Sequence, residues 1–232
     1  MATGFFAPIA DPRPTDVPWP TMIWPPVADT ELRGQTVVLT PVVPGRDAGE
    51  LFNALGADAV WRHVAGRPAD VDERAGALQR GIASGRPPWF VRLVRPIAEL
   101  PTGAVAGVAS YLDVSVNDAR LEIGSTSYTP PAWGTSVNPE TKLLLLGHAF
   151  DVLRAGRVQL KTDVRNVRSQ QAIARLDAHY EGTLRRYQRR ADGTVRDTVL
   201  FSVLAEEWPA VRDALQARLA SRPAAAPAGL FG

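Results

Sequence analysis

Nothing constrains this chain more than the order in which strand-like and helix-like apolar patterns follow one another along it. Alternating or β-branched apolar runs mark strands, and a 3.6-residue spacing marks helices. A strand pattern at residues 36–42, Thr-Val-Val-Leu-Thr-Pro-Val, is stopped by Pro44. Residues 46–55 then place Leu51, Phe52 and Leu55 at helical spacing. Residues 69–84 carry Val71, Ala75, Leu78 and Ile82 on one stripe behind Asp70, a favourable N-cap. Strands are expected at 89–95, 104–112 and 120–128, the last two joined through a hairpin at 114–119. A long helix follows from near Asn138 to Gly156, with Leu143, Leu146, Ala149, Phe150 and Leu153 on its buried face. Then come a strand at 157–164, a helix at 168–176, and strands at 180–190 and 195–204 around an Asp192-Gly193 turn. A last helix at 207–219 turns Trp208, Val211, Leu215 and Leu219 inward. Hairpins early and a crossover late imply an α/β (α+β) fold, with a mixed, mostly antiparallel central sheet flanked by helices.

The two ends differ from this body. Residues 1–33 hold Pro8, Pro12, Pro14, Pro18, Pro20, Pro25 and Pro26, a density that prevents helix or central strand. Phe5, Phe6, Trp19 and Trp24 in the same segment would be wasted in solvent. They point to an extended arm packed on its own domain or on a neighbouring subunit, as in a homodimer. Residues 221–232 are Ala/Pro-rich and read as a tail, which leaves 34–220 as one domain.

Composition removes several classes of function. With 232 residues, 45% hydrophobic and 22% charged, the body is ordinary globular chain. The absence of cysteine excludes thiolate catalysis, cysteine metal sites and disulfides. The three histidines, His63, His148 and His179, lack ligand spacing, so no metal is expected. No apolar run is long enough to span a bilayer, and no secretory signal pattern opens the chain. The expectation is a cytoplasmic protein without a membrane partner. Net charge is +2, and no basic run is interleaved with aromatics, which argues against direct nucleic-acid binding. Among 26 basic residues only Lys142 and Lys161 are lysine. The arginine excess reads as a GC-rich genome, or as help in holding an anionic cofactor.

The least ordinary stretch is Thr129-Pro-Pro-Ala-Trp-Gly-Thr-Ser-Val-Asn-Pro-Glu, between a strand and a helix start. A helix N-terminus offers backbone N–H groups and a positive dipole end. Pro139 and Glu140 suit its first turn. Main-chain N–H groups from Gly134 to Asn138 could cradle a diphosphate. Taken alone, the segment reads equally as a plain loop before a helix.

The wider context resembles RimJ/RimL-type acetyltransferases of the GNAT superfamily over residues 32–219. The resemblance is carried by Glu122-Ile-Gly-Ser-Thr-Ser-Tyr, Trp133-Gly-Thr-Ser-Val-Asn-Pro-Glu-Thr-Lys-Leu-Leu-Leu and His148-Ala-Phe. It continues through Arg157-Val-Gln-Leu-Lys-Thr-Asp-Val-Arg-Asn-Val-Arg-Ser, Gln171-Ala-Ile-Ala-Arg-Leu, Glu181-Gly-Thr-Leu-Arg, Gly193 and Arg196-Asp-Thr-Val, in matching order and spacing. It implies acetyl-CoA as co-substrate, a primary amine as acceptor (a protein N-terminus or a small amine), and direct transfer without a metal.

The family's Q/R-x-x-G-x-G/A pyrophosphate loop falls on Trp133, Gly134, Thr135, Ser136, Val137 and Asn138. Trp133 replaces the Gln/Arg, and Ser136 and Asn138 replace the two glycines, with the Ser136 hydroxyl as an extra donor. The strand at 121–128 matches the family's fourth strand, which splays from its neighbour and bonds the pantetheine amides. A backbone N–H near Ser125 or Thr126 would polarise the thioester carbonyl. Asn166 and Ser169 match the N-x-x-S element. Asn166 would bond the pantetheine arm, or cap a helix, or both, and Ser169 would protonate the leaving thiolate. Tyr187 is a second candidate acid. Glu122 is the candidate base, against a structural carboxylate paired with an arginine. Glu181 reads as structural, Gln188 as no base, and Asp177 as a substituted C-cap. Trp61 and Trp89 would line the acceptor cleft or belong to the core. Two rival readings stand beside the enzyme: a non-catalytic acyl-CoA-binding regulatory module, and an interaction protein that dimerises through its aromatic arm.

Overall fold

The computed structural model describes residues 7–11 and 18–221. Phe5, Phe6, Pro12, Pro14 and the tail beyond 221 lie outside the described residues. One eight-stranded sheet runs in the order β1-β2-β3-β4-β5-β6-β8-β7. Its strands are β1 (Leu32–Arg33), β2 (Val37–Pro41), β3 (Pro88–Leu93), β4 (Val105–Ser115), β5 (Arg120–Tyr128), β6 (Arg157–Asp163), β7 (His179–Arg189) and β8 (Val195–Leu204). Only β5 and β6 pair in parallel; every other neighbouring pair is antiparallel. The helices are α1 (Pro44–Ala54), α2 (Asp58–Trp61), α3 (Val71–Ala83), α4 (Val137–Gly147), α5 (Val167–Ala174) and α6 (Trp208–Ala220). The mixed, mostly antiparallel sheet flanked by helices is the architecture the sequence implies.

Strand alternation sends successive side chains to opposite faces, and each face is covered by its own helices. Trp89, Val91, Tyr111, Leu121 and Ile123 share one core with Leu145 and Leu146 of α4 and Val211 and Leu215 of α6. Phe90 and Val108 share the other with Leu51 of α1 and Leu78 of α3. Glu122 lies between Leu121 and Ile123 and opposite Leu112, so it belongs to the α1–α3 face.

Local chemistry sets several boundaries. Asp70 caps α3 by accepting the Glu73 N–H at 2.8 Å. Pro44 begins α1 as well as following the strand, because its fixed φ suits a first helical turn. Between the two expected helices the chain adds the short α2. Asp177 adopts φ +58 just past α5, the left-handed cap expected of it.

The long helix departs from the expected stripe. Leu145 and Leu146 are fully buried, whereas Leu143 is only partly so. After Gly147 the helix widens into a π-helical stretch, His148–Val152. Five-residue spacing there breaks the phase of a 3.6-residue stripe, so one stripe does not describe the whole segment. Leu219, expected inward at the end of α6, is partly exposed.

Part of the arm packs on its own domain. The Ile23 N–H bonds the Leu153 carbonyl at 2.8 Å, Met22 is buried, and Trp24 meets Tyr111 edge-on at 6.2 Å. Trp19 stays 63% exposed. The sheet itself begins at Leu32, inside the segment read as arm.

Candidate active site

The parallel pair β5–β6 is short. It spans Arg120–Glu122 against Arg157–Gln159 and then ends, while β5 continues to Tyr128 along β4. A wedge therefore opens between β5 and β6, with Glu122 and Gln159 at its apex. Within it β5 is bulged: Ala109 alone stands opposite Ser125 and Thr126, and Ser125 adopts φ +45. A bulge of this kind re-aims backbone groups at a strand edge. The splay falls on the strand for which the resemblance implies it, and the bulge at Ser125–Thr126 is an addition that the sequence does not announce.

Glu122 is 5% exposed at the apex, with Oε2 2.7 Å from Lys161 Nζ and 3.4 Å from Gln159 Nε2. Its partner is a lysine rather than the arginine considered from sequence. Burial pushes the Glu122 carboxyl above its usual range, and Lys161 offsets only part of that. Lys161 also donates to Asp113 at 2.8 Å and to the Tyr187 hydroxyl at 3.2 Å. Burial opposes its charge, but these partners and Glu122 outweigh it and hold the ammonium protonated. Tyr187, a candidate from sequence, thus sits on the edge of the Glu122 cluster.

The group that sequence reasoning missed is Lys142. It lies on α4, 5% exposed, and donates to Thr126 Oγ1 at 3.0 Å beside the bulge. Burial pushes its pKa down to about 7, with Glu122 pulling the other way. Both lysines of the chain therefore stand at the wedge, Lys142 buried and Lys161 half-buried. That was legible in principle: in a chain that otherwise uses arginine, a lysine marks a place for a compact ammonium of adjustable pKa.

At the mouth of the wedge the chain turns into α4. Gly134 has φ +75, is exposed, and has open space where a side chain would stand. Thr135 Oγ1 bridges the Ala132 carbonyl and the Val137 N–H. The Ser136 hydroxyl is not offered outward as expected; it is buried and bonds Thr36 Oγ1 at 3.2 Å. Val137 is fully buried, and Pro139 removes one N–H from the first turn. Donors for an anion at this helix start thus include the backbone of Asn138, which is half-buried. Trp133 is held by its indole N–H on the Tyr128 carbonyl at 2.9 Å, and the Arg168 guanidinium stacks 3.6 Å from its ring centre. A cation is thereby fixed beside the loop.

Asn166 is the N-cap of α5: its Oδ1 accepts the Ser169 N–H at 3.1 Å. Ser169, half-buried, sits in that first turn, on the element following β6. Glu181 is gripped by both Arg157 nitrogens and by the Ser202 hydroxyl, a structural role. His148 stacks on Tyr111 within the core, and Trp89 is core at 1% exposure. Trp61 instead lines a cavity between α1 and α3. No helix among the described residues is long and apolar enough to cross a membrane.

The β5–β6 pair splays, β5 is bulged against β4, and α4 starts beyond it; comparison with known proteins gives this arrangement its family. The family profile described as "Acetyltransferase (GNAT) domain" matches residues 36–179. A solved structure described as an acetyltransferase of T. thermophilus is 36% identical, with TM-score 0.73 over 85% of this chain and 100% of that one. A GCN5-related N-acetyltransferase from Brucella melitensis is 27% identical, with TM-score 0.77 over 88% and 90% of the two chains. The Bacillus licheniformis "Uncharacterized N-acetyltransferase p20" is 28% identical over 107 residues, which is 46% of this chain and 59% of that relative. The chain belongs to the GNAT acetyltransferase family and is an acyltransferase.

Proposed function

We propose that the protein transfers an acetyl group from acetyl-CoA to a primary amine, by direct attack in a ternary complex. The observation that carries this reading is the continuous wedge. It starts at a buried carboxylate, passes a bulged strand edge, and ends at a helix start beside a fixed guanidinium. An extended pantetheine arm suits the unpaired edge of β5, where it adds as a strand would. The diphosphate suits the Trp133–Asn138 turn, through the first-turn backbone at Asn138 more than through the Ser136 hydroxyl or the Val137 N–H, which are already bonded. Amides at Ser125 and Thr126 would hold the carbonyl oxygen as charge develops on it. Asn166 and Ser169 border the arm from α5.

Proton handling divides across the sheet. Glu122, on the α1–α3 face, takes the amine proton. Lys142, on the α4 face with Thr126, supplies the positive charge and proton that the departing thiolate needs, with Ser169 as a second donor. Burial moves the carboxyl up and the ammonium down, each toward neutral pH, where a general base and a general acid work best.

Calorimetry with acetyl-CoA tests the first half: saturable binding with micromolar affinity is expected, and none at high micromolar ligand removes the enzyme reading. Thiol release with an amine panel tests the second half. Tight acetyl-CoA binding without turnover of any amine would favour the regulatory acyl-CoA-binding module instead.

A further inference from the structure

A cavity of about 350 Å³ lies between α1 and α3, lined by Leu51, Phe52, Leu55, Trp61, Arg67 and Arg74 among others. That is large enough for a small aromatic ligand. The charged residues on its wall are two arginines, and these differ. Arg67 is satisfied: it donates to Asp58 Oδ1 at 2.7 Å and to the Gly56 carbonyl at 2.6 Å. Arg74 is not. Its Nε and Nη2 are buried and meet no hydrogen-bond partner among the described residues. Burial lowers its pKa.

A guanidinium in this state costs the folded protein free energy that a leucine or methionine in the same place would not. Folding alone gives no reason for it. An anion in the cavity does, once the guanidinium turns its buried Nε and Nη2 into that space, because a carboxylate matches its planar fork through two parallel N–H bonds. The cavity is also placed to serve the wedge. It lies among the helices that cover the sheet face carrying Glu122, since Leu51 and Leu55 of its wall pack with Phe90 and Val108. Trp61 on its wall and Trp133 at the α4 turn pack against the same apolar cluster. His63, two residues past Trp61, is within electrostatic reach of Asp163 and Arg168, at the ends of β6 and the start of α5.

Building on the proposed acetyl transfer, we infer that the cavity binds the anionic end of the acceptor, which is an amine carrying a carboxylate on an apolar or aromatic body. Arg74 receives the carboxylate, Phe52 and Trp61 receive the body, and the amine is left toward Glu122.

Phenylacetate and phenylacetamide, identical in shape and different in charge, are the probes. Tryptophan fluorescence is the readout, with Trp61→Phe identifying the responding ring. The wild-type protein is expected to bind phenylacetate at least tenfold more tightly than phenylacetamide. Arg74→Gln should bring the two within twofold and leave acetyl-CoA affinity unchanged, which also reports that the variant is folded. With acetyl-CoA present, phenylalanine should be acetylated with a KM at least tenfold below that of phenylalaninamide, and phenylacetate should compete with it. Equal binding of the two probes to the wild-type protein overturns the inference without any variant. Binding of phenylacetate without competition against an accepted amine overturns its assignment to the acceptor. Failure here while acetyl-CoA still binds refutes the cavity alone; loss of acetyl-CoA binding refutes the underlying enzyme reading.

Discussion

Glu140→Ala is expected to cost about 4 kcal/mol of stability and to lower the unfolding midpoint by roughly 10 °C. The residue looks like a helix-start carboxylate, but its work is done on another element. Its Oε1 accepts the Gln35 N–H at 2.9 Å, and its Oε2 accepts the Thr36 and Val37 N–H groups at 2.6 and 2.8 Å. It is 5% exposed. Alanine would leave three backbone donors unmatched where β2 enters the sheet, two of them buried, and such groups cost about 1–3 kcal/mol each. Glu140→Gln separates charge from geometry. A glutamine oxygen in the Oε2 position keeps two of the three bonds, so about half the loss is expected. Gly34 supplies an independent check, since a Cβ there would stand 2.5 Å from Glu140 Cδ. Gly34→Ala should therefore destabilise by displacing the same carboxylate. Thermal and urea unfolding measure all three. A loss below about 1 kcal/mol for Glu140→Ala would remove it as the tie between α4 and β2.

What the sequence made legible follows physical range. Strand and helix types came through because alternation and 3.6-residue spacing are local, and so did the Asp70 cap and the left-handed Asp177. The π-helical stretch at His148–Val152 did not, because a stripe read with one period hides a change of period. Glu140 was named but not understood: its partners lie more than 100 residues away in the chain. Ser136 was expected to face a ligand, yet its hydroxyl turns to Thr36, a contact of the same long range. Nothing in the sequence singles out Arg74, because the burial of its Nε and Nη2 depends on tertiary packing. The lysines are the instructive case. Their rarity was plain, but it took the fold to bring position 142 on a helix and position 161 on a strand to one wedge.

Glu122→Gln is expected to reduce kcat by about 100-fold while leaving the acetyl-CoA Kd within twofold. Lys161 keeps Asp113 as a partner, so the wedge does not lose its only counter-charge. Lys142→Met is expected to lower kcat by about tenfold below pH 7, and the pH profile tells the two residues apart. Glu122 acts as a carboxylate, and burial raises its pKa, so kcat should rise with pH on an acid limb lying above the ordinary carboxylate range. Lys142 acts protonated, and its pKa is about 7, so kcat should fall as pH climbs through that value. The methionine variant should lose the falling limb and keep the rising one; a falling limb that persists in it would take Lys142 out of the reaction. Stability should move the other way. In the unfolded chain Lys142 has its ordinary pKa, so between about 7 and 10 the unfolded state holds a proton that the folded state has released. The wild-type protein should therefore gain stability as pH rises across that window, and Lys142→Met should be the more stable protein at neutral pH and below. A variant both slower and more stable is what a buried ammonium kept for chemistry predicts. A lysine kept for packing would give a variant that is neither.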